Sequence, residues 1–131
     1  MKIPEIMKSP VQTIGPQATV QDLDALLAGR SISGVPIVSD DGELLGIVSK
    51  TDVIRQLVED PDLYRKGTEV WRIMSAHVLW VSIDDDVREV AKKMLDAKVH
   101  RILVYDQAEL AGIVSTYDFL KVVAGMDATT R

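Results

Sequence analysis

The seven residues GIVSKTD at positions 46–52 return, with two changes, as GIVSTYD at positions 112–118. Upstream, Ile6-Met7 returns as Ile73-Met74. Between each pair lie a polar-capped amphipathic segment and an apolar run. A duplication that spans nearly the whole chain means two similar structural units, each burying what the other exposes. It also duplicates any binding site, so the functional question is what two related sites hold.

The repeat predicts a first unit over residues 1–62 and a second over 63–131. In the first, Thr19 is placed to cap a helix whose apolar face is Val20, Leu23, Leu26 and Leu27, with Gly29 closing it. Val35-Pro36-Ile37-Val38 reads as a short buried strand, Ser39-Asp40-Asp41-Gly42 as a turn and residues 44–48 as the hairpin's second strand. Pro36 has no N–H to give a ladder, so it suits a cleft or an edge better than a sheet centre. A second helix begins near Thr51 with Val53, Ile54, Leu57 and Val58 as its stripe, and stops before Asp60-Pro61.

The second unit follows the same plan. Asp86 caps a helix with Val87, Val90, Ala91, Met94 and Leu95 inward. Residues 102–105 and 110–114 form the hairpin across a turn one residue shorter, and residues 118–124 form a last helix ending at Gly125. Residues 126–131 read as a frayed tail, and the polar run 59–67 (EDPDLYRKG) as a connector with about one helical turn. Short extended segments at 11–14 and 78–81 precede the units' first helices. The order is β-α-β-β-α twice, a mixed α/β (α+β) protein in which two half-sheets cover each other.

Composition removes several functional classes. The chain has 131 residues, 47% hydrophobic and 27% charged, ordinary values for a folded protein with one core-sized mass. With no cysteine, disulfides, thiol chemistry and zinc–thiolate sites are excluded. The net charge of −5 argues against nucleic acid and anionic membrane surfaces as main partners. No apolar run approaches about 18 residues, and MKIPEIMKSP lacks a secretory signal's apolar stretch, so the expected location is cytoplasmic. Two histidines without a third ligand, and three consecutive acids at Asp84-Asp85-Asp86 that suit a helix N-terminus, make no metal site. No phosphate-binding glycine loop and no nucleophile with a base and orienting acid is visible, so catalysis is not expected.

Ser49-Lys50-Thr51-Asp52 and Ser115-Thr116-Tyr117-Asp118 each sit where a strand ends and a helix opens. One reading is a capping box, in which Ser caps and the acid three residues on bonds back to the backbone. The other is a ribose site, because a carboxylate offers two acceptor oxygens to the two donors of a cis-diol. Both hold together if Ser caps while Asp also reaches a ligand.

The duplicated set of Ile-Met, the Val35-Pro36-Ile37-Val38 strand and G-I-V-S-x-x-D resembles a tandem pair of cystathionine-β-synthase (CBS) motifs, often called a Bateman module. The resemblance covers roughly residues 2–124. It implies two units related by pseudo-twofold symmetry, with two clefts between them. It implies an adenosine-containing regulatory ligand, AMP, ADP or ATP, or alternatively S-adenosylmethionine or NAD, with no cofactor required. It also implies a homodimer and an effector protein that reads the bound state. A dimerisation scaffold with vestigial clefts remains the alternative.

Carried over residue by residue, the first cleft comprises Thr13, Ile14, Ser33, Val35, Pro36, Ile47, Ser49, Thr51 and Asp52, with Asp52 as the ribose acceptor. His100 and Arg101 match the family's phosphate contacts to that cleft. The second cleft comprises Trp80, Val81, Ile102, Leu103, Ile113, Ser115, Tyr117 and Asp118. Trp80 stands ready to stack on a purine or to fill a core. Leu103 replaces the family's Pro and alters the backbone donors, and Tyr117 replaces a small polar residue. Ser33 and Gly34 stand where the second unit has His100 and Arg101, so the second cleft lacks a cationic pair. Lys8 and Lys50 are possible helpers.

Overall fold

Two glycines decide which segments pack together. At Gly46 an added Cβ would lie 2.6 Å from the Ser75 carbonyl and 2.7 Å from Met74 Sδ. At Gly112 it would lie 2.5 Å from Met7 Sδ and 3.1 Å from the Lys8 carbonyl. Each bare glycine admits an Ile-Met segment onto its strand. Ser75 exchanges two main-chain bonds with Ile47, both 2.9 Å, and Lys8 exchanges two with Ile113, at 2.9 and 3.1 Å.

The computed structural model describes residues 1–30 and 32–125. Its two compact units are a middle unit, Gln12–Val78, and a split unit, Met1–Val11 with the chain from Leu79 onward. The packing therefore cuts the chain differently from the expected division at 62/63. The segment that opens the first repeat belongs with the second repeat's strands, and residues 70–78 with the first's. The expected tail at 126–131 lies outside the described residues.

In the middle unit, α1 (Val20–Arg30) precedes a hairpin of β1 (Gly34–Val38) and β2 (Leu44–Ser49), followed by α2 (Lys50–Glu59). Thr19 and Asp22 form a reciprocal cap at the start of α1, with Asp22 N donating to Thr19 Oγ1 at 3.2 Å and Thr19 N to Asp22 Oδ2 at 2.9 Å. Gly29 lies inside α1 instead of closing it. Val20, Leu23 and Leu27 meet Val35, Ile37, Val48, Val53, Leu63 and Val70 in one core. Burying side chains of this size contributes about 1.5–3 kcal/mol each. Leu63 corrects the view of residues 59–67 as a polar connector, since it is 1% exposed. Beside it, Tyr64 donates to Asp24 at 2.5 Å and ties that turn to α1. On α2 only Val53 of the expected stripe is buried; Ile54, Leu57 and Val58 are exposed.

The split unit contains β3 (Trp80–Ser82), α3 (Val87–Ala97), a hairpin of β4 (Arg101–Asp106) and β5 (Glu109–Ser115), and α4 (Thr116–Val123). Asp86 caps α3 by accepting from Arg88 N at 3.2 Å. Ile3, Ile6, Val81, Val90, Met94, Ile102, Val104 and Val114 form its core. Leu95, expected inward, is exposed, because α3 turns Val90 and Met94 to the sheet.

Pro36 is not at an edge. It pairs with Ile47 on one side, and its carbonyl accepts from Ile14 N at 3.1 Å on the other. A strand residue's nitrogen and carbonyl point the same way, so the missing donor faces the Ile14 segment and the β1–β2 ladder loses nothing. At the matching place Leu103 N donates to the Leu79 carbonyl at 3.1 Å. There the pairing extends into the three-residue parallel strand β3, while the Ile14 segment makes a single bridge to Ile37. One Pro-to-Leu difference accounts for one strand being longer than its counterpart.

Candidate functional site

The hairpin and the following helix create the same local geometry in each unit. In the middle unit, Lys50 N donates to the Ser33 carbonyl at 2.9 Å, holding the start of α2 against the start of β1. In the split unit Thr116 N donates to the His100 carbonyl at 2.9 Å. The positions carrying Ser33 and His100 thus adjoin the helix N-termini of their own units.

The capping box is present in both copies. Asp52 N donates to Ser49 Oγ at 3.3 Å, and Asp52 Oδ2 accepts from Ser49 N at 2.8 Å and Ser49 Oγ at 2.9 Å. Asp118 Oδ2 accepts from Ser115 N at 2.8 Å and Ser115 Oγ at 3.1 Å. Each acid is thereby anchored through one oxygen, and the copies diverge at the other. Asp52 Oδ1 meets Arg55 Nη1 at 3.4 Å, a long contact from a side chain that is 73% exposed. Asp118 Oδ1 accepts from Lys8 Nζ at 2.6 Å and lies 3.6 Å from Lys121 Nζ. The Asp52 side chain keeps 16% of its surface, that of Asp118 only 1%.

The remaining candidate positions sort by burial. In the middle unit Pro36 pairs with Ile47 across β1 and β2, while Ile14 bridges the next residue, Ile37, and packs against the core; Thr13, Ser33 and Thr51 are exposed. Val35 is buried in the middle unit's core, and Val81 and Ile102 in that of the split unit, so these side chains pack and leave main-chain atoms as their means of reaching a ligand; Leu103 is also buried, but outside that core cluster. Ile113 is partly buried between Leu103 and Lys8 in register. Trp80 is not a core residue; it is 57% exposed and meets Tyr105 edge-to-face at 5.8 Å. His100 is exposed and Arg101 partly buried, opposite Ser115 in the β4–β5 register. Both belong to the split unit, not to the unit carrying Asp52.

The sequence reading gave Lys8 no definite role and overlooked Lys121. A signal for both was present. In the repeat, Lys8 follows Ile6-Met7 where Ser75 follows Ile73-Met74, and Lys121 stands three residues after its Asp as Arg55 does. Asp84, Asp85 and Ser82 bond among themselves at the turn before α3, with Ser82 N donating to Asp85 at 3.0 Å and Asp84 N to Ser82 Oγ at 3.2 Å.

A duplicated α+β unit with an acid anchored at each second helix defines a tandem-repeat module with two equivalent candidate sites. The family model for the CBS domain matches residues 3–59 and 70–125, and the chain belongs to that family as a CBS domain pair. A curated relative is the inosine-5'-monophosphate dehydrogenase of Methanocaldococcus jannaschii, 31% identical over 121 residues, covering 92% of this chain and 23% of that protein. The chain spans well under half the length of the curated relatives it matches, 23% and 41% of the first two. Among solved structures, a putative signal-transduction protein with CBS domains from Burkholderia ambifaria superposes with a TM-score of 0.83 at 26% identity over 95% of each chain. The CBS domain pair of protein MJ0100, solved with 5'-methylthioadenosine and S-adenosyl-L-methionine, has a TM-score of 0.81 at 24% identity, covering 95% of this chain and 97% of that one. No helix among the described residues is long and apolar enough to cross a membrane.

Proposed function

We propose that the chain is a sensor of adenosine nucleotides of the AMP, ADP and ATP class, with Asp52 as the acceptor of the ribose hydroxyls and no chemistry of its own. The observation that carries this reading is the half-used carboxylate of Asp52. Ser49 fixes its orientation through Oδ2, and among the described residues Oδ1 has one long contact, to an exposed arginine. A preoriented acceptor costs a ligand little ordering, and a cis-diol supplies the donors it lacks. The adenosine part of the ligand is supported by the MJ0100 domain pair, solved with two adenosine-containing molecules, neither of which carries a phosphate. The family resemblance assigns His100 and Arg101 to the phosphate.

Binding acts on a partner only through differential affinity for two arrangements of the module. The proposed setting is a cytoplasmic homodimer read by an effector protein. Exposed Ile54, Leu57 and Val58 on α2, with Leu120 and Val123 on α4, supply apolar faces for self-association. A sedimenting mass of two chains at tens of micromolar supports the dimer, and a monomer there contradicts it.

A thermal-shift panel of AMP, ADP, ATP, NAD, S-adenosylmethionine and GTP tests the function. A true ligand at 100 times its dissociation constant stabilises by about 2.7 kcal/mol. Stabilisation by the adenine nucleotides above GTP is expected. No shift with any adenosine compound leaves the dimerisation scaffold as the reading.

A further inference from the structure

Three positions around Asp118 differ together from those around Asp52. Lys8 stands for Ser75, Tyr117 for Thr51 and Lys121 for Arg55. In the split unit these side chains are in contact. Lys8 Nζ bonds Asp118 Oδ1 at 2.6 Å, Lys121 Nζ lies 3.6 Å from the same oxygen, and the two ammonium groups sit 5.6 and 5.5 Å from the centre of the Tyr117 ring. A carboxylate has about four acceptor positions. Around Asp118 three are met by hydrogen bonds from Ser115 N, Ser115 Oγ and Lys8, and Lys121 adds its charge at 3.6 Å.

We propose that Lys8 is a specificity-determining residue that occupies the Asp118 acceptor from within, so that the chain takes one nucleoside, at Asp52, where the repeat offers two acids. This rests on the ribose reading of Asp52. A diol approaching Asp118 must displace an ammonium from a carboxylate that is 1% exposed, exchanging an ion pair for hydrogen bonds from uncharged donors. Tyr117, with its ring over both ammonium groups, favours their staying in place. The main chain of Lys8 holds the segment to β5 through Ile113, so the side chain can be changed without releasing the strand.

The test is calorimetric titration with adenosine, which has no phosphate to respond to the lost lysine charge. It uses the full chain, Lys8→Ser, Asp52→Asn and the double variant. Lys8→Ser reproduces Ser75 and leaves Lys121 beside Asp118, so the acid stays compensated. At adenosine concentrations that just saturate the parent, the expected occupancy is one adenosine per chain, two in Lys8→Ser, close to none in Asp52→Asn and about one in the double variant. One adenosine in both the parent and Lys8→Ser overturns the proposal. If no variant binds adenosine, the ribose reading fails, and the occupancy of Asp118 is decided by nitrogen NMR of the lysine side chains. A slowly exchanging Lys8 ammonium signal, lost in Asp118→Asn, upholds it; a signal averaged with solvent in both overturns it.

Discussion

Gly46 and Gly112 hold the same place in the two copies of GIVS, yet their surroundings predict unequal tolerance of a methyl group. At Gly46 the nearest atom to an added Cβ is the main-chain carbonyl of Ser75 at 2.6 Å, which is bonded to Ile47 and cannot yield cheaply. At Gly112 the nearest atoms belong to the flexible Met7 side chain. Overpacking costs about 1–3 kcal/mol, more than the roughly 0.4–1 kcal/mol that Gly-to-Ala recovers from the unfolded chain. Gly46→Ala should therefore destabilise by about 1–3 kcal/mol in urea unfolding and Gly112→Ala by less. An equal or reversed order contradicts the packing described for the two Ile-Met segments. The acids were legible at this scale because Ser-x-x-Asp carries its own geometry. The partner of Asp118 is harder to read, since Lys8 lies 110 residues away in sequence and outside the Ser-x-x-Asp motif.

At the scale of elements, order and type were legible because each helix announces itself by a cap and each strand by a β-branched run. Burial was less so. Leu95, Ile54 and Val58 continue apolar stripes that the structure leaves exposed, whereas Leu63, set in a polar run, is core. Periodicity identifies a helix but does not fix how wide a face its neighbours cover. The Leu63 turn is also held by Tyr64, whose phenol is pushed up from 10.0 to about 12 by its hydrogen bond to Asp24, with burial adding to the effect. A raised folded-state value stabilises below the unfolded value and is lost as pH climbs through the folded one. The stability difference between the parent and Tyr64→Phe should be constant below about pH 10 and vanish towards pH 12. A difference unchanged across that range would remove Asp24 as the partner.

At the scale of the whole molecule, the duplication was legible, and the exchange of end segments between its copies was not. Sequence repeats are read along the chain, but residues 1–11 pack with the second repeat and 70–78 with the first. Pairing of Lys8 with Ile113 and Ser75 with Ile47 crosses the repeats and has no local sequence signature. The copies have also separated chemically, one acid anchored but accessible and the other enclosed by lysines. The proposed phosphate role of Arg101 makes Arg101→Ala lower AMP affinity more than adenosine affinity, with a gap that narrows as salt rises. Equal losses in calorimetry would assign Arg101 to support of the strand.

The central claim is that Asp52 is a ligand acceptor as well as a cap, and Asp52→Asn separates the two roles. Asparagine can keep its oxygen on Ser49 while presenting an NH2 donor where Oδ1 stood. Calorimetry of AMP against the parent and Asp52→Asn, with melting of both, is the direct measurement. The account predicts an affinity loss of about ten- to a hundredfold, the equivalent of about 1.5–3 kcal/mol for bonds to a charged acceptor, with little change in melting. Unchanged AMP affinity beside a lowered melting temperature would show that Asp52 does no more than cap α2.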